Sequence, residues 1–155
     1  MTKIIFVCFG NICRSPMAEF VMKNLVAHAG CEKDFVIESA GCHPSIGTPV
    51  SEGTVNILRE KNIPFTRRTS KQFLASDYKR FDYLIGLDRH NVRDMKEICG
   101  GDPDEKIFLM MDFSGEHRDV ADPWYTDDYE ETYRDVLIAC EALLEKISAD
   151  NQSTR

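Results

Sequence analysis

The sequence predicts an α/β fold, a parallel sheet with helices on both faces, and three observations lead there. Apolar runs of strand length recur at 3–8, 35–39, 81–88 and 106–110, separated by segments with helical spacing. The first run, Lys3-Ile-Ile-Phe-Val-Cys8, is unbroken by polar residues after Lys3, as a strand covered on both faces requires. Strand–helix alternation is itself the pattern of a doubly wound parallel sheet.

The elements follow in order. After the strand at 3–8, Ser15-Pro16 reads as the N-cap and first residue of a helix. Met17, Phe20, Val21, Leu25 and His28 then recur at helical spacing, and Gly30 fits the stop. Phe35-Val-Ile-Glu-Ser39 is the second strand. Thr48-Pro49 opens a second helix with Val50, Thr54, Ile57 and Leu58 on one face. Residues 81–88 form the third strand, 89–98 a short helix and 106–110 the fourth strand. In the final helix, Tyr133, Val136, Leu137, Cys140, Leu143, Leu144 and Ile147 make one apolar stripe, and 149–155 is expected to be a frayed end.

Bulk properties bound the function. A length of 155 residues is that of one domain, spanning 1–155, and 43% hydrophobic with 29% charged residues is ordinary globular composition. The opening apolar run ends at Gly10, too short for an export signal, and no later stretch approaches about 18 apolar residues. A cytoplasmic protein with no membrane association is therefore expected. The six cysteines (8, 13, 31, 42, 99, 140) form no dense framework and read as free thiols. A net charge of −7 argues against a nucleic-acid partner, because backbone binding needs a basic face. Acids concentrate at 112–131, where eight face Arg118 alone, whereas Arg67, Arg68 and Lys71 cluster at 67–71.

The segment Cys8-Phe-Gly-Asn-Ile-Cys-Arg14, followed by Ser15-Pro16, carries chemistry. Gly10 and Asn11 are the residues best able to take positive φ and curl the loop's N–H groups inward. Such inward N–H groups make an anion-binding nest, and the following helix adds its positive end. Arg14 contributes a planar fork that matches two oxygens of a tetrahedral oxyanion such as phosphate. A helix start beside a cation is also the setting in which thiols are activated as nucleophiles, so Cys8 is expected to attack phosphorus and form a cysteinyl-phosphate. Ser15 is placed to donate a hydrogen bond to its sulfur. Far down the chain, Asp122-Pro123-Trp124-Tyr125 supplies a candidate general acid, with two aromatics suited to gripping a ring.

These segments together resemble the low-molecular-weight protein tyrosine phosphatases. The family's C-x-G-N-x-C-R-S-P-x-A-E appears as Cys8, Gly10, Asn11, Cys13, Arg14, Ser15, Pro16, Ala18 and Glu19, and its Asp-Pro-aromatic-Tyr as 122–125. Glu38-Ser-Ala-Gly41 and the stretch 81–95 also match, so the likeness covers the whole chain. The resemblance implies a flavodoxin-like sheet of four parallel strands, no metal and no cofactor. It makes Cys8 the nucleophile, Arg14 the phosphate clamp and Asp122 the acid and later the base. The loop Phe9, Gly10, Asn11, Ile12 and Cys13 would cradle phosphate, with Asn11 holding its strained shape, Ser15 assisting the thiolate and Ser39 as a supporting partner. Trp124 and Tyr125 would meet the substrate, and Asp88 would help to order the loop. The resemblance implies phosphotyrosine proteins as partners. Separately, Tyr125 and Tyr129 sit in an acidic setting that a tyrosine kinase could use, though surface tyrosines beside acids are common, and a monomer or weak dimer is expected. The second loop cysteine implies a reversible Cys8–Cys13 disulfide and redox sensitivity.

Three departures bear on substrate preference. The loop after Ser-Ala-Gly is shorter than in many members and offers only His43 and Ile46 as wall residues. Where many members have His-x-Ala-Arg-Gln, whose His supports the loop Asn, this chain has Arg68-Thr-Ser-Lys71-Gln. The Pro-Asp-x-Arg that often follows the start of the second helix reads Pro49-Val-Ser-Glu52. Ile12 is similar to members that take phosphotyrosine, whereas Thr there is similar to those that take phosphoarginine. The alternatives are a protein arginine phosphatase, a thiol-dependent arsenate reductase, for which no relay cysteine occurs between 43 and 98, and a non-catalytic phosphotyrosine-binding or redox-sensing module.

Overall fold

In the computed structural model, which describes residues 1–153, the order is β1 (Thr2–Cys8), α1 (Arg14–His28), β2 (Phe35–Gly41), α2 (Glu52–Glu60), α3 (Asp77–Arg80), β3 (Tyr83–Gly86), α4 (Arg89–Cys99), β4 (Ile107–Leu109), α5 (Pro123–Thr126) and α6 (Tyr129–Ser153). The strands form one sheet in the order β2-β1-β3-β4, all pairings parallel. This is the doubly wound, flavodoxin-like α/β sheet that the alternation and the resemblance predict.

The apolar run of β1 reflects its central place. Ile4, Phe6 and Cys8 face a core built with Met17, Phe20 and Val21 of α1 and Val136, Cys140, Leu143 and Ile147 of α6. Ile5 and Val7 face the other way, against Phe73, Phe81, Leu84 and Met95. Each such large side chain contributes roughly 1.5–3 kcal/mol on burial, so a polar residue at any of the buried positions Ile4, Ile5, Phe6 and Val7 would be costly.

Tertiary contacts override several local signals. α1 begins at Arg14 with Cys13 as N-cap, not at Ser15-Pro16, because the Ser15 hydroxyl is committed to the Cys8 sulfur. Pro16 stays tolerable within the first turn, where N–H groups lack intrahelical partners. α2 starts at Glu52, capped by Ser51. Thr48-Pro49 instead runs extended against 69–70, where Ser70 donates its N–H to Thr48 O at 2.8 Å. β3 is shorter than 81–88, since Phe81 closes α3 and Asp88 caps α4. β4 yields at Met110 to a 3-10 turn, Met110–Ser114. α6 continues to Ser153, past the frayed end expected from 149, while 154 and 155 lie outside the described residues.

No helix among the described residues is long and apolar enough to cross a membrane. Cys8 ends β1, and Asp88 lies just beyond β3, the next strand across. β1 leads to β2 on one side and borders β3 on the other, the kind of switch point where doubly wound sheets hold ligands.

Candidate active site

The loop after β1 curls tightly about the Cys8 sulfur. Asn11 donates its backbone N–H to Cys8 Sγ at 3.2 Å, and Ser15 Oγ lies 2.8 Å from the same sulfur. Ser15 Oγ also accepts from Asn11 Nδ2 at 2.9 Å, which leaves its own proton to be donated, and Sγ is the nearest acceptor. Asn11 takes the left-handed conformation at φ 58°; Gly10, expected to share that role, does not. Asn11 is fully buried and satisfied at both ends. Its Nδ2 also donates to Ser39 Oγ at 3.1 Å, and its Oδ1 accepts from Arg68 Nη2 at 2.6 Å and the Lys71 N–H at 3.1 Å. Ser39 passes the chain on to the buried Glu19 at 2.6 Å, which Lys23 meets at 2.7 Å.

The loop is also sewn to its neighbours by backbone bonds. Cys42 N–H donates to Cys8 O, His43 N–H to Phe9 O and Ser51 N–H to Ile12 O, all at 2.8–2.9 Å. This closeness demands glycine at 41, where a Cβ would come within 2.8 Å of Phe9 O. Phe9 itself is exposed and meets the His43 ring at 5.0 Å between centroids.

Arg14 is 4% exposed. Its Nη1 donates to Val120 O at 3.1 Å, while Nη2 donates to Asp88 at 2.8 Å and stands 3.4 Å from Asp122. Burial alone would lower its pKa, but Asp122, the Cys8 sulfur and Asp88 outweigh that and raise it. The guanidinium is a fixed cation that ties the loop to the acid segment. Asp88 caps α4 through Asn91 and so holds Arg14 from a rigid helix start.

Asp122 caps the short helix α5, its Oδ1 accepting the Trp124 N–H at 3.0 Å. Trp124 and Tyr125 are 81% and 84% exposed. They face Ile12, Phe9 and His43 across a cleft of about 740 Å³ whose floor runs from Cys8 to Arg14. Ile46, the other expected wall residue, is exposed on the loop that borders it.

Several functional neighbours escaped the sequence reading. Asp135 on α6 grips the acid segment: it accepts from Arg118 at 2.9 and 3.0 Å and from the Ala121 N–H at 2.9 Å. Burial pushes the Asp135 carboxyl up, but these bonds pull it further down, below the usual carboxylate range. Nothing in local sequence marks one aspartate of an acidic stretch as buried. The Arg68 contact was likewise legible only as a departure from the family pattern. Cys13 donates to Ser51 Oγ at 3.3 Å and approaches the Tyr129 hydroxyl at 3.8 Å. The Tyr129 ring occupies the place a Cβ on residue 53 would need, so its hydroxyl points inward and Tyr125 is the exposed tyrosine of the two. All six cysteines are free thiols. Burial pushes the Cys42 thiol up to about 12, and burial raises that of Cys140 as well.

Fold and site together define a doubly wound α/β protein that seats a thiol in a C-x5-R loop at the head of its central strand. The model of the low molecular weight phosphotyrosine protein phosphatase family matches residues 3–153, and the chain belongs to that family. It is 37% identical to the low molecular weight protein-tyrosine-phosphatase YfkJ of Bacillus subtilis, over 98% of this chain and 99% of that one. It is 40% identical to PtpA of Staphylococcus aureus, of the same description, over 97% and 96%. The crystal structure of YfkJ superposes with a TM-score of 0.93 over 97% of this chain and 96% of that one. That of the Streptococcus pyogenes low molecular weight protein tyrosine phosphatase, 42% identical, gives 0.84 over 94% and 93%.

Proposed function

We propose that this chain hydrolyses phosphotyrosine in proteins through a cysteinyl-phosphate intermediate. Cys8 Sγ attacks phosphorus, an S–P bond forms, and the P–O bond to the tyrosine breaks while Asp122 gives its proton to the departing phenolate. Water then attacks the phosphorus, Asp122 takes one of its protons, and Cys8 leaves as thiolate with phosphate released. Arg14 clamps two equatorial oxygens, and a dianion at its fork would draw Nη2 away from Asp122. The loop's N–H groups and the start of α1 meet the charge that develops in the transition state. No metal or cofactor enters this scheme.

The observation that carries the reading is the double hydrogen bond to Cys8 Sγ, from the Asn11 N–H at 3.2 Å and Ser15 at 2.8 Å. Such donors stabilise a thiolate both as nucleophile and as leaving group. Exposed Trp124 and Tyr125 at the cleft mouth favour an aromatic substrate, and their place beside Ile12 weighs against phosphoarginine. Arsenate reduction needs relay thiols in the middle of the chain, where no cysteine lies between 43 and 98, and Cys42 is buried with a raised thiol pKa. The Cys8–Cys13 disulfide belongs to the same reading, and mass spectrometry after mild peroxide tests it: Cys8 sulfinic acid alone contradicts it. A cytoplasmic site of action fits phosphoprotein substrates.

The test is kcat/KM on phosphotyrosine, phosphoserine and phosphoarginine peptides, with Cys8→Ser as control. A strong phosphotyrosine preference lost in Cys8→Ser is expected. A phosphoarginine preference would keep the mechanism and overturn the substrate, and turnover by Cys8→Ser would overturn the mechanism.

A further inference from the structure

We propose that Asp94 is a positioning residue: through His43 it braces Phe9 as a fixed wall against which the ring of an aryl phosphate packs. The proposal rests on reading the cleft as an aryl-phosphate site, the basis of the function proposed above.

Phe9 stands out by its exposure. It is the one exposed phenylalanine of nine, and it sits on the loop that curls about the Cys8 sulfur. Burial does not hold its ring, so without a neighbour the side chain would sample several rotamers and lose them on binding a ligand. The neighbour is His43, whose ring lies 5.0 Å away between centroids at an interplanar angle of 41°, within the range of favourable aromatic pairs. The two backbones are also joined, the His43 N–H donating to Phe9 O at 2.9 Å.

His43 is itself 55% exposed and needs an anchor. Asp94 supplies it, its Oδ2 accepting from His43 Nε2 at 3.2 Å. A carboxylate can only accept, so Nε2 carries the hydrogen. Arg93 Nε is more distant, 3.9 Å from Asp94, which leaves His43 the nearer of the two. Asp94 is only 21% exposed and lies on α4, the helix whose cap, Asp88, holds Arg14. The chain from Asp94 through His43 to Phe9 thus ties the wall to the same helix that steadies the anion clamp. All three residues line the cleft together with Trp124 and Tyr125. An aromatic ring entering it meets a surface formed in advance, which lowers the ordering cost of binding. The brace is separate from the grip on the anion: Asp94 bonds neither to the Cys8 sulfur nor to Arg14, whose partners are Asn11 and Ser15, and Val120, Asp88 and Asp122.

Calorimetry with benzylphosphonate, methylphosphonate and tungstate tells the two grips apart, on wild type, Asp94→Ala, Asp94→Asn, Phe9→Ala and the double variant Asp94→Ala/Phe9→Ala. Wild type should bind benzylphosphonate more tightly than methylphosphonate. Asp94→Ala should weaken benzylphosphonate binding about fivefold, the weight of one aromatic pair, and leave methylphosphonate and tungstate as in wild type. Asp94→Asn, which keeps an acceptor for His43, should recover most of that loss. Once Phe9 is gone, Asp94→Ala should cost less than about twofold, because the two residues act in series. Wild-type benzylphosphonate affinity in Asp94→Ala overturns the proposal. So does an equal loss for all three probes, which would place Asp94 in the scaffold of the cradle, and so does an undiminished loss on top of Phe9→Ala. Should Asp94→Ala fail to fold, His43→Ala carries the same comparison. A wild type that prefers benzylphosphonate but spares phosphotyrosine refutes the proposed function alone. One that binds both phosphonates equally refutes the brace alone, and one that binds no oxyanion refutes both.

Discussion

The two halves of the site are built in opposite ways. The loop at 8–14 is continuous in sequence, buried, and fixed by a dense internal network centred on Asn11. The acid segment at 118–126 is exposed at its tip and fixed from α6, by Asp135, which accepts from Arg118 and the Ala121 N–H, and by Thr132 Oγ1, which donates to Ala121 O at 2.8 Å. Arg14 joins the two, its Nη1 donating to Val120 O and its Nη2 standing 3.4 Å from Asp122. A nucleophile and its anion cradle must be rigid before substrate arrives. A group that delivers and then accepts a proton beside an open cleft tolerates a softer mount.

The contrast orders the effects of mutation. Cys8→Ser should abolish turnover of phosphotyrosine while retaining tungstate binding, because it removes the proposed nucleophile and keeps the cradle. Arg14→Lys should lower kcat/KM by roughly 10²–10³, since a point charge cannot replace the fork, and should weaken oxyanion binding too. Asp122→Ala should lower kcat by about 10²–10⁴, most for phenols of high pKa and least for good leaving groups. An equal loss for all leaving groups would remove Asp122 from the acid's role.

Asp135→Ala tests whether the acid segment is mounted from α6. It leaves the Ala121 N–H without its acceptor, which should cost about 1–2 kcal/mol of stability, seen as a lower urea midpoint. Turnover should fall in kcat rather than KM, while tungstate affinity stays as in wild type. Loss of tungstate affinity would mean that the two halves are not mounted separately.

The smallest effect concerns pH. Asp119 within the acid segment, Asp135 that holds it, and Asp102 are all held below the usual carboxylate range, burial opposing and hydrogen bonds prevailing. Their folded pKa values lie below the unfolded value, so the unfolded chain takes up protons first as pH falls. The stabilisation is complete above about pH 4 and is lost as pH drops through the folded values. Urea midpoints should be flat from neutrality to about pH 5 and should decline below about pH 4. Asp135→Asn should flatten that decline.

The same contrast governs what the sequence could reveal. The loop's residues are neighbours in the chain, so Gly-Asn, the second cysteine, the arginine and Ser-Pro advertised the cradle, and the run at 3–8 advertised the strand beneath it. The cap was misplaced because Ser15 has two possible employments, and the sulfur 2.8 Å away is a tertiary fact. Thr48-Pro49 failed in the same manner, its helix signal overruled by pairing with 69–70. In the acid segment Asp122-Pro123 stood out only through Pro and the aromatics. Asp135 was one acid among many, and only the packing of α6 shows that Arg118 and Ala121 converge on it. Arg68 was visible as an unexpected residue, but its direction, under the loop rather than into the cleft wall, required coordinates.

The central claim is that Cys8 carries the phosphoryl group. Rapid quenching during turnover of an aryl phosphate with a good leaving group, followed by peptide mapping, reads it directly. The phosphoryl group should be found on Cys8, and it should accumulate further in Asp122→Ala, which lacks the proposed base for water. Phosphoryl on another residue, or steady turnover with no covalent species in either protein, would contradict the account.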